Sequence, residues 1–377
     1  MKTYDAVIVG ARCAGAATAM LLARRGLSVL VLERARPGTD TLSTHALMRG
    51  GVVQLRRWGL LDRLVEAGTP PVRRTSFHYG DETVTVSVKP AAGVDALYAP
   101  RRTLLDRVLV DAAVEAGAEV RFGVDVTDVL RHPDGRVGGV VARDRRGAVK
   151  IGAIEPARAR ITVGADGARS LVARAVGAPT VREGTGSGAV VYGYWTGLDV
   201  EGYEWYYRPG VTAGLIPTND GEVCVFAGAP TPRFRREVDG DVAAWYLRTL
   251  KEVTGGDARL EDGGPRRLHT HAGRVGRVRR PWGAGWALVG DAGHVVDPLS
   301  THGITDALRD AELLSEAVVE DNLARYEERR DRAAGPMFAA IDGIASYGWT
   351  LPAVRRLLME LSSAMSDEVE TLSGLVA

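Results

Sequence analysis

The first thirty-three residues follow an order that few folds can satisfy. Tyr4 to Val9 is a short apolar run rich in β-branched residues, the pattern of a buried strand. Gly10-Ala11-Arg12-Cys13-Ala14-Gly15 is a tight glycine turn, and Ala16 to Arg25 reads as a small-residue helix closed by Gly26. A second apolar run, Ser28 to Leu32, ends on Glu33. Strand, turn, helix, strand and acid in this order make a parallel βαβ unit built around a dinucleotide. The opening amides and dipole of the helix hold a diphosphate, and the acid closing the second strand accepts from a ribose. Glu33 follows Gly15 at close to the usual spacing of about 20 residues. Arg12 stands where a middle glycine is usual, so its guanidinium either turns away from the diphosphate or contacts it.

A chain of 377 residues has room for two domains. Its net charge of +1 gives no reason to expect a nucleic acid or an anionic membrane as partner. The N-terminus leads straight into a strand, so no signal peptide is expected, and no apolar run approaches the ~18 residues of a transmembrane segment. Of the two cysteines, Cys13 lies in the glycine turn, which points to a reduced, cytoplasmic chain without a structural disulfide.

The expected architecture is α/β. A Rossmann-like domain is formed by 1–70, 96–180 and 268–330. It is interrupted by a β-rich domain, 71–95 and 181–267, and followed by a helical segment, 331–377. Helices are expected over Met48–Trp58, Leu60–Ala67, Leu104–Ala113, Asp241–Thr254, Ile304–Asp321, Ala324–Ala345 and from Pro352 onward. Strands are expected within Val72–Lys89 and over Glu119–Phe122, Val137–Arg143, Lys150–Ile154 and Arg160–Gly164.

Two later sequences line up with the glycine turn. One is Gly164-Ala165-Asp166-Gly167-Ala168-Arg169-Ser170. The other is Gly290-Asp291-Ala292-Gly293-His294, with Asp297-Pro298 and Gly303-Ile304 beyond it. Together the three resemble the FAD-dependent monooxygenase family of the aromatic-hydroxylase type, whose fold is of the glutathione-reductase kind, and the resemblance runs to about Arg329. It implies FAD as cofactor, held by Gly10, Arg12, Cys13, Ala14, Gly15, Glu33, Arg34, Arg102, Val126, Asp166, Gly290, Asp291, Pro298, Gly303 and Ile304. Asp291 is implied to bind the ribityl hydroxyls. The first amides of the helix at Gly303 and Ile304 face the pyrimidine end of the flavin, where the reduced cofactor collects negative charge. Arg102 matches the family's flavin-contacting arginine, with Arg101 as the alternative.

The run Pro298-Leu299-Ser300-Thr301-His302-Gly303 departs from the family's P-x-x-G-Q-G. His302 is therefore a catalytic candidate able to titrate near neutral pH, with a satisfied structural histidine as the competing reading. His45, in Ser43-Thr44-His45, is the second catalytic candidate. Tyr192, Tyr194, Trp205 and Tyr207 are candidates for an aromatic-lined substrate pocket, against the alternative that they are sheet core. His269 and His271, two apart on an expected strand, read as structural and not as metal ligands.

The resemblance implies NAD(P)H as reductant and molecular oxygen as co-substrate. The implied reaction is hydroxylation of an aromatic or apolar small molecule through dioxygen activated at the flavin C4a, with a place in secondary metabolism. Flavin halogenases carry W-x-W-x-I-P. Here the run is Thr212-Ala213-Gly214-Leu215-Ile216-Pro217, and Lys89 is the sole candidate for their tunnel lysine, so halogenation is disfavoured. Prenyl-type reductases carry W-x-F-P. Here Gly214 replaces the tryptophan, which would widen such a pocket, and alkene reduction is the main enzymatic alternative. A non-redox role, with FAD as the floor of a cyclase pocket, is the third reading.

Overall fold

The computed structural model describes residues 3–144, 154–261 and 263–374, arranged in three sheets and ten helices. The first sheet contains β1 (Thr3–Val9), β2 (Val29–Glu33), β5 (Glu119–Phe122), β6 (Val124–Arg131), β7 (Val137–Asp144), β8 (Ile154–Gly164), β16 (Trp282–Gly283) and β17 (Trp286–Leu288). Five of these run parallel, side by side, in the order β17-β8-β1-β2-β5. The antiparallel pair β6–β7 joins along β8. The second sheet contains β3 (Arg74–Tyr79), β4 (Glu82–Ser87), β10 (Gly188–Thr196), β11 (Tyr203–Arg208), β12 (Val211–Pro217), β13 (Glu222–Pro230) and β14 (Leu268–His271). Its order is β14-β10-β13-β12-β11-β3-β4. A small third sheet joins β9 (Thr180–Glu183), β15 (Arg277–Arg279) and β18 (His294–Val295).

The helices are α1 (Cys13–Arg24), α2 (Arg49–Arg57), α3 (Leu61–Glu66), α4 (Arg102–Glu115), α5 (Leu171–Ala175), α6 (Thr231–Glu237), α7 (Val242–Thr254), α8 (Gly303–Val319), α9 (Leu323–Ala345) and α10 (Leu351–Ser373). None is long and apolar enough to cross a membrane.

β1 is apolar throughout because both its faces are covered. Ala6 and Ile8 pack with α1, α4 and α8, while Val7 and Val9 face the β6–β7 pair and α5. Two glycines let α1 begin where β1 ends. Gly10 sits at φ +103°, and a β-carbon on it would lie 2.5 Å from the carbonyl oxygen of Ala165. A β-carbon on Gly15 would lie 1.9 Å from the Gly10 carbonyl oxygen. Arg12 is extended, so the first turn of α1 is already formed at Cys13, three residues before the start read from the small-residue pattern.

The second sheet is covered on both sides. Trp195, Tyr206, Val225 and Ala227 face α6 and α7. Tyr192, Trp205, Tyr207 and Phe226 face the other way, against Met337, Ile341 and Ile344 of α9, Tyr347 and Trp349, and Val354 and Leu361 of α10. The expected domain boundaries shift in two places. β14 pairs with β10, so the β-rich part extends to His271. α9 runs unbroken through residues 330 and 331, so the terminal helices are continuous with the nucleotide fold. The strand expected over Lys150–Ile154 lies outside the described residues except for Ile154, where β8 starts; β8 then continues through the stretch expected as a separate strand at Arg160–Gly164. α6, which follows β13 directly, was not expected.

Trp349 closes the aromatic face. It stacks on Tyr347, meets Tyr207 edge-on at 6.2 Å and donates its indole N–H to the Ile344 carbonyl at 2.8 Å. We expect Trp349→Ala to destabilise the protein by about 3–5 kcal/mol, the range for deleting a buried aromatic ring. Urea unfolding followed by far-UV circular dichroism checks this.

Candidate active site

The carboxyl ends of β1, β2 and β8 and the turn after β17 meet around the N-terminus of α1, the place where parallel sheets of this kind bind ligands. α1 has no side-chain cap, so its opening amides are left for a ligand to satisfy. Glu33 is buried at the end of β2. One carboxylate oxygen accepts from the Ala11 amide and the other from the Ala35 amide, each at 2.8 Å. This leaves lone pairs on both oxygens for a sugar hydroxyl. Ala14 and Gly15 lie in the same first turn, Arg34 is exposed just beyond Glu33, and Val126 is buried on β6.

Arg12 turns to Asp106 at 3.0 Å, and Asp106 also binds Arg102 at 2.9 Å. The Cys13 thiol lies 3.2 Å from the same carboxylate, and burial raises the thiol far above its ordinary range, so it stays protonated. One carboxylate thus spaces two guanidiniums beside the free helix amides. Asp166 turns away from them. Its carboxylate accepts from the Ser170 hydroxyl at 2.5 Å and from the Leu171 and Val172 amides, so it caps α5.

On the other side of the groove, Gly290 is left-handed at φ +55° and Asp291 follows it. Asp291 is reached by solvent, although protein surrounds it at depth. Its surroundings raise the carboxyl to about 6, with Arg102 pulling the other way. Pro298 opens a 3-10 turn, Pro298–Ser300, and Gly303 starts α8 with open space where a β-carbon would stand. Free amides, a ribose-type acid, paired cations and an exposed carboxylate in one groove fit FAD.

Thr301 sits at φ +52°, the region that favours glycine, which is the physical reason the family's usual residue there is glycine. His302 does not face the groove. It is buried between Asp306 of α8 and Glu368 of α10, each carboxylate 3.1 Å from a ring nitrogen, as ion-pair contacts and not well-aligned hydrogen bonds. Burial alone would lower its pKa, but Glu368 and Asp306 outweigh burial and push it to about 10. The expectation of a near-neutral titration at His302 is corrected: the ring is a fixed cation. Arg309 contacts Asp306, Asp310 and Glu368, and Asp310 accepts from the Gly290 amide at 3.1 Å. This network was missed from sequence. Asp306 and Arg309 do carry the i, i+3 spacing of opposite charges, but nothing local announces Glu368. His302, Asp306 and Glu368 offer three ligand-type atoms within 4.8 Å of one another, and Arg309 already bridges the two carboxylates.

His45 is buried, with its backbone at φ +67°. Its Nε2 meets the Tyr194 hydroxyl, and burial, with Arg102 and Arg101 nearby, lowers its pKa well below the usual value, so the ring is neutral. Arg101 lies over the Tyr194 ring at 3.7 Å and pairs with Glu222 and Asp40. Tyr192 accepts from the Ser43 amide at 3.1 Å and stacks on His269 at 4.9 Å. His45, Tyr192 and Tyr194 therefore meet at the seam between the groove and the second sheet. Trp205 and Tyr207 do not join them and are core beneath α9 and α10; Tyr192 is buried in the same cluster and meets Tyr194 edge-on. The space above Gly214 is likewise filled, since a β-carbon there would lie 2.4 Å from the Phe226 ring and 2.8 Å from Trp205. The expected widening is absent.

A model of the FAD binding domain family matches residues 3–337. Digeranylgeranylglycerophospholipid reductase 2 of Methanopyrus kandleri is 29% identical over 360 residues, covering 89% of this chain and 84% of that protein. Menaquinone reductase of Mycolicibacterium smegmatis is 29% identical over 339 residues, covering 85% of this chain and 78% of that protein. Among solved structures, a triple mutant of the flavin-dependent brominase Bmp2 superposes with a TM-score of 0.82 at 18% identity, over 99% of this chain and 96% of that one. PqsL of Pseudomonas aeruginosa, described as a probable FAD-dependent monooxygenase, gives 0.74 at 22% identity, over 97% of this chain and 100% of that one. At those identities the two structures speak for the fold alone.

Two outcomes follow from this geometry. Asp291→Ala should weaken FAD at least about tenfold, or ~1.4 kcal/mol, read from the flavin-to-protein absorbance ratio after dialysis. His302 has its pKa raised above the unfolded value of 6.5, so its stabilisation is complete below that pH and is lost as pH rises through about 10. His302→Gln should therefore flatten the alkaline fall in stability, measured as urea midpoints at neutral and alkaline pH.

Proposed function

We propose a function from one premise: the chain belongs to the FAD binding domain family. It is a member of a family of FAD-dependent oxidoreductases, and its residues divide the work of holding such a cofactor. The α1 amides, with Arg12 and Arg102 spaced by Asp106, bind the diphosphate. Glu33 takes the adenosine ribose, and Asp291 takes the ribityl hydroxyls. The α8 amides at Gly303 and Ile304 meet the pyrimidine edge. Val126 and Arg34 lie toward the adenine, and Asp166 acts through the loop that it holds in shape. When bound, FAD supplies hydride and electron transfer, which no side chain here can perform.

The reaction we assign is NAD(P)H-dependent reduction of an unsaturated, apolar small molecule. The observation that carries the substrate's character is the seam. Tyr194, half-buried between the groove and the second sheet, is the ring of this cluster that a substrate would touch, and the buried His45 and Tyr192 rings pack against it. Reduction is placed first because relatives named as reductases align along 85–89% of the chain. The groups at the seam bind and orient the substrate, and burial of His45 and Tyr192 excludes water from it.

Monooxygenation, the first expectation from the sequence, is the second reading. It is favoured by the Gly214-Leu215-Ile216-Pro217 run, which lacks the W-x-F-P pattern of prenyl-type reductases.

The deciding experiment supplies purified holoprotein with NADH or NADPH and a panel of unsaturated isoprenoids, isoprenoid quinones and phenols, with and without oxygen. Nicotinamide oxidation that continues anaerobically and adds two hydrogens to a substrate supports reduction. Turnover that requires oxygen and adds one oxygen atom overturns it in favour of hydroxylation. No redox change with any substrate overturns both and leaves the scaffold reading.

A further inference from the structure

Behind the seam, two buried nitrogen atoms have no hydrogen-bond partner: Nδ1 of His45 and Nε of Arg101. A buried polar atom left without a partner is costly, so two of them on residues that both contact Tyr194 ask for a reason. The left-handed backbone at His45 adds further strain for a residue with a β-carbon. What this strain secures is contact between His45 Nε2 and the Tyr194 hydroxyl, with the two rings nearly parallel at 18°. Tyr194 itself is half-buried, and Arg101 covers one face of its ring, so its hydroxyl is the polar atom that the pair presents at the seam.

The pair has a property that neither residue has alone. His45 is neutral, so its single ring proton can sit on either nitrogen. With the proton on Nδ1, Nε2 accepts from the tyrosine hydroxyl and the tyrosine oxygen keeps a lone pair for an incoming donor. With the proton on Nε2, His45 donates to the tyrosine oxygen and the hydroxyl proton is free for an incoming acceptor. The same atom therefore binds a hydroxyl in one state and a carbonyl in the other.

Charge narrows the ligand further. Arg101 is already matched by two carboxylates, Asp40 and Glu222, so the guanidinium lying on Tyr194 is not a free cation for an anion. Resting on the reading of this chain as an FAD-dependent oxidoreductase of apolar substrates, we propose that Tyr194, positioned by His45, is the binding site for an uncharged ring oxygen. The substrate class is then an apolar ring bearing a carbonyl or hydroxyl, as in a quinone or a phenol. Such a site keeps its hold when reduction turns the carbonyl into the hydroxyl.

The test is equilibrium binding to the holoprotein without nicotinamide, followed by the flavin absorbance and tryptophan emission. The probes are menadione, 2-methylnaphthalene, which has the same ring and methyl group without oxygen, and 1,4-dihydroxy-2-naphthoate, which adds a carboxylate. Wild type should bind menadione about tenfold more tightly than 2-methylnaphthalene, one good hydrogen bond's worth. Tyr194→Phe should abolish that preference while leaving 2-methylnaphthalene binding unchanged, and the carboxylate probe should bind more weakly than menadione. A merely structural role for Tyr194 would weaken both neutral probes alike. Should Tyr194→Phe lose its flavin, His45→Asn, which tolerates the left-handed backbone, decides by the same preference. The proposal is overturned if wild type shows no preference for menadione, if the preference survives these substitutions, or if the carboxylate binds more tightly. None of these readouts needs turnover. A Tyr194-dependent preference in a protein that reduces nothing would keep the site and discard the reaction.

Discussion

One guanidinium with almost no exposed surface ties the active region together. Arg309 of α8 reaches Asp306 and Asp310 on its own helix and Glu368 on α10. Asp310 in turn receives the Gly290 amide. The loop that carries Asp291, the helix that starts at Gly303 and the terminal helix therefore share one buried charge. Such a network is not cheap stability, because every member had to leave water. Its consequence is geometric. Removing the cation would leave three carboxylates buried together, so the loop and both helices keep their relative positions or the fold is lost. Asp291 thus projects into the groove from a backbone that cannot drift.

Adjacent arginines show how the groove and the seam are separated. Arg102 is the first residue of α4 and faces Asp106, Arg12 and the groove. Arg101, one residue earlier and still extended, faces Asp40, Glu222 and the Tyr194 ring. The change from extended to helical backbone sends the two side chains to opposite sides. The first cation serves a diphosphate. The second is neutralised by carboxylates and acts as a flat lid on an aromatic ring.

The nucleotide-binding half was legible in the sequence because its determinants are local. A glycine turn, a strand's apolar run and the acid ending the next strand lie within thirty residues, and each is constrained by its own backbone. Alternation along β10 likewise placed Tyr192 and Tyr194 on one face. It could not say what that face meets, because the answer comes from α9 and α10, more than a hundred residues later. Tyr192, Trp205 and Tyr207 are all buried on that face, and Tyr194 is left half-buried. His302 was ambiguous for the same reason. Its neighbours in sequence suggest a groove residue, and its role is set by Glu368, whose position in space no short pattern reveals. Residue 330 marks no break in α9, whose helix continues through it as the sequence pattern over Ala324–Ala345 implied.

The departure at residues 301 and 302 and the terminal helix explain each other. α10 lies beyond residue 337, where the family model's match ends, yet it places a carboxylate against the residue preceding α8. A neutral amide at 302 would leave Asp306 and Glu368 to share Arg309 alone, with two buried negative charges in one small volume. An imidazolium at that place supplies the second cation, and its fixed charge is held by the same two carboxylates that it stabilises. Glu368 without His302 would be an uncompensated buried charge, and His302 without Glu368 would lose the larger of the two attractions that keep it protonated. The pair makes sense only as a unit. Through it, a helix outside the matched region sets the entry into α8, the part of the groove that the flavin ring would meet.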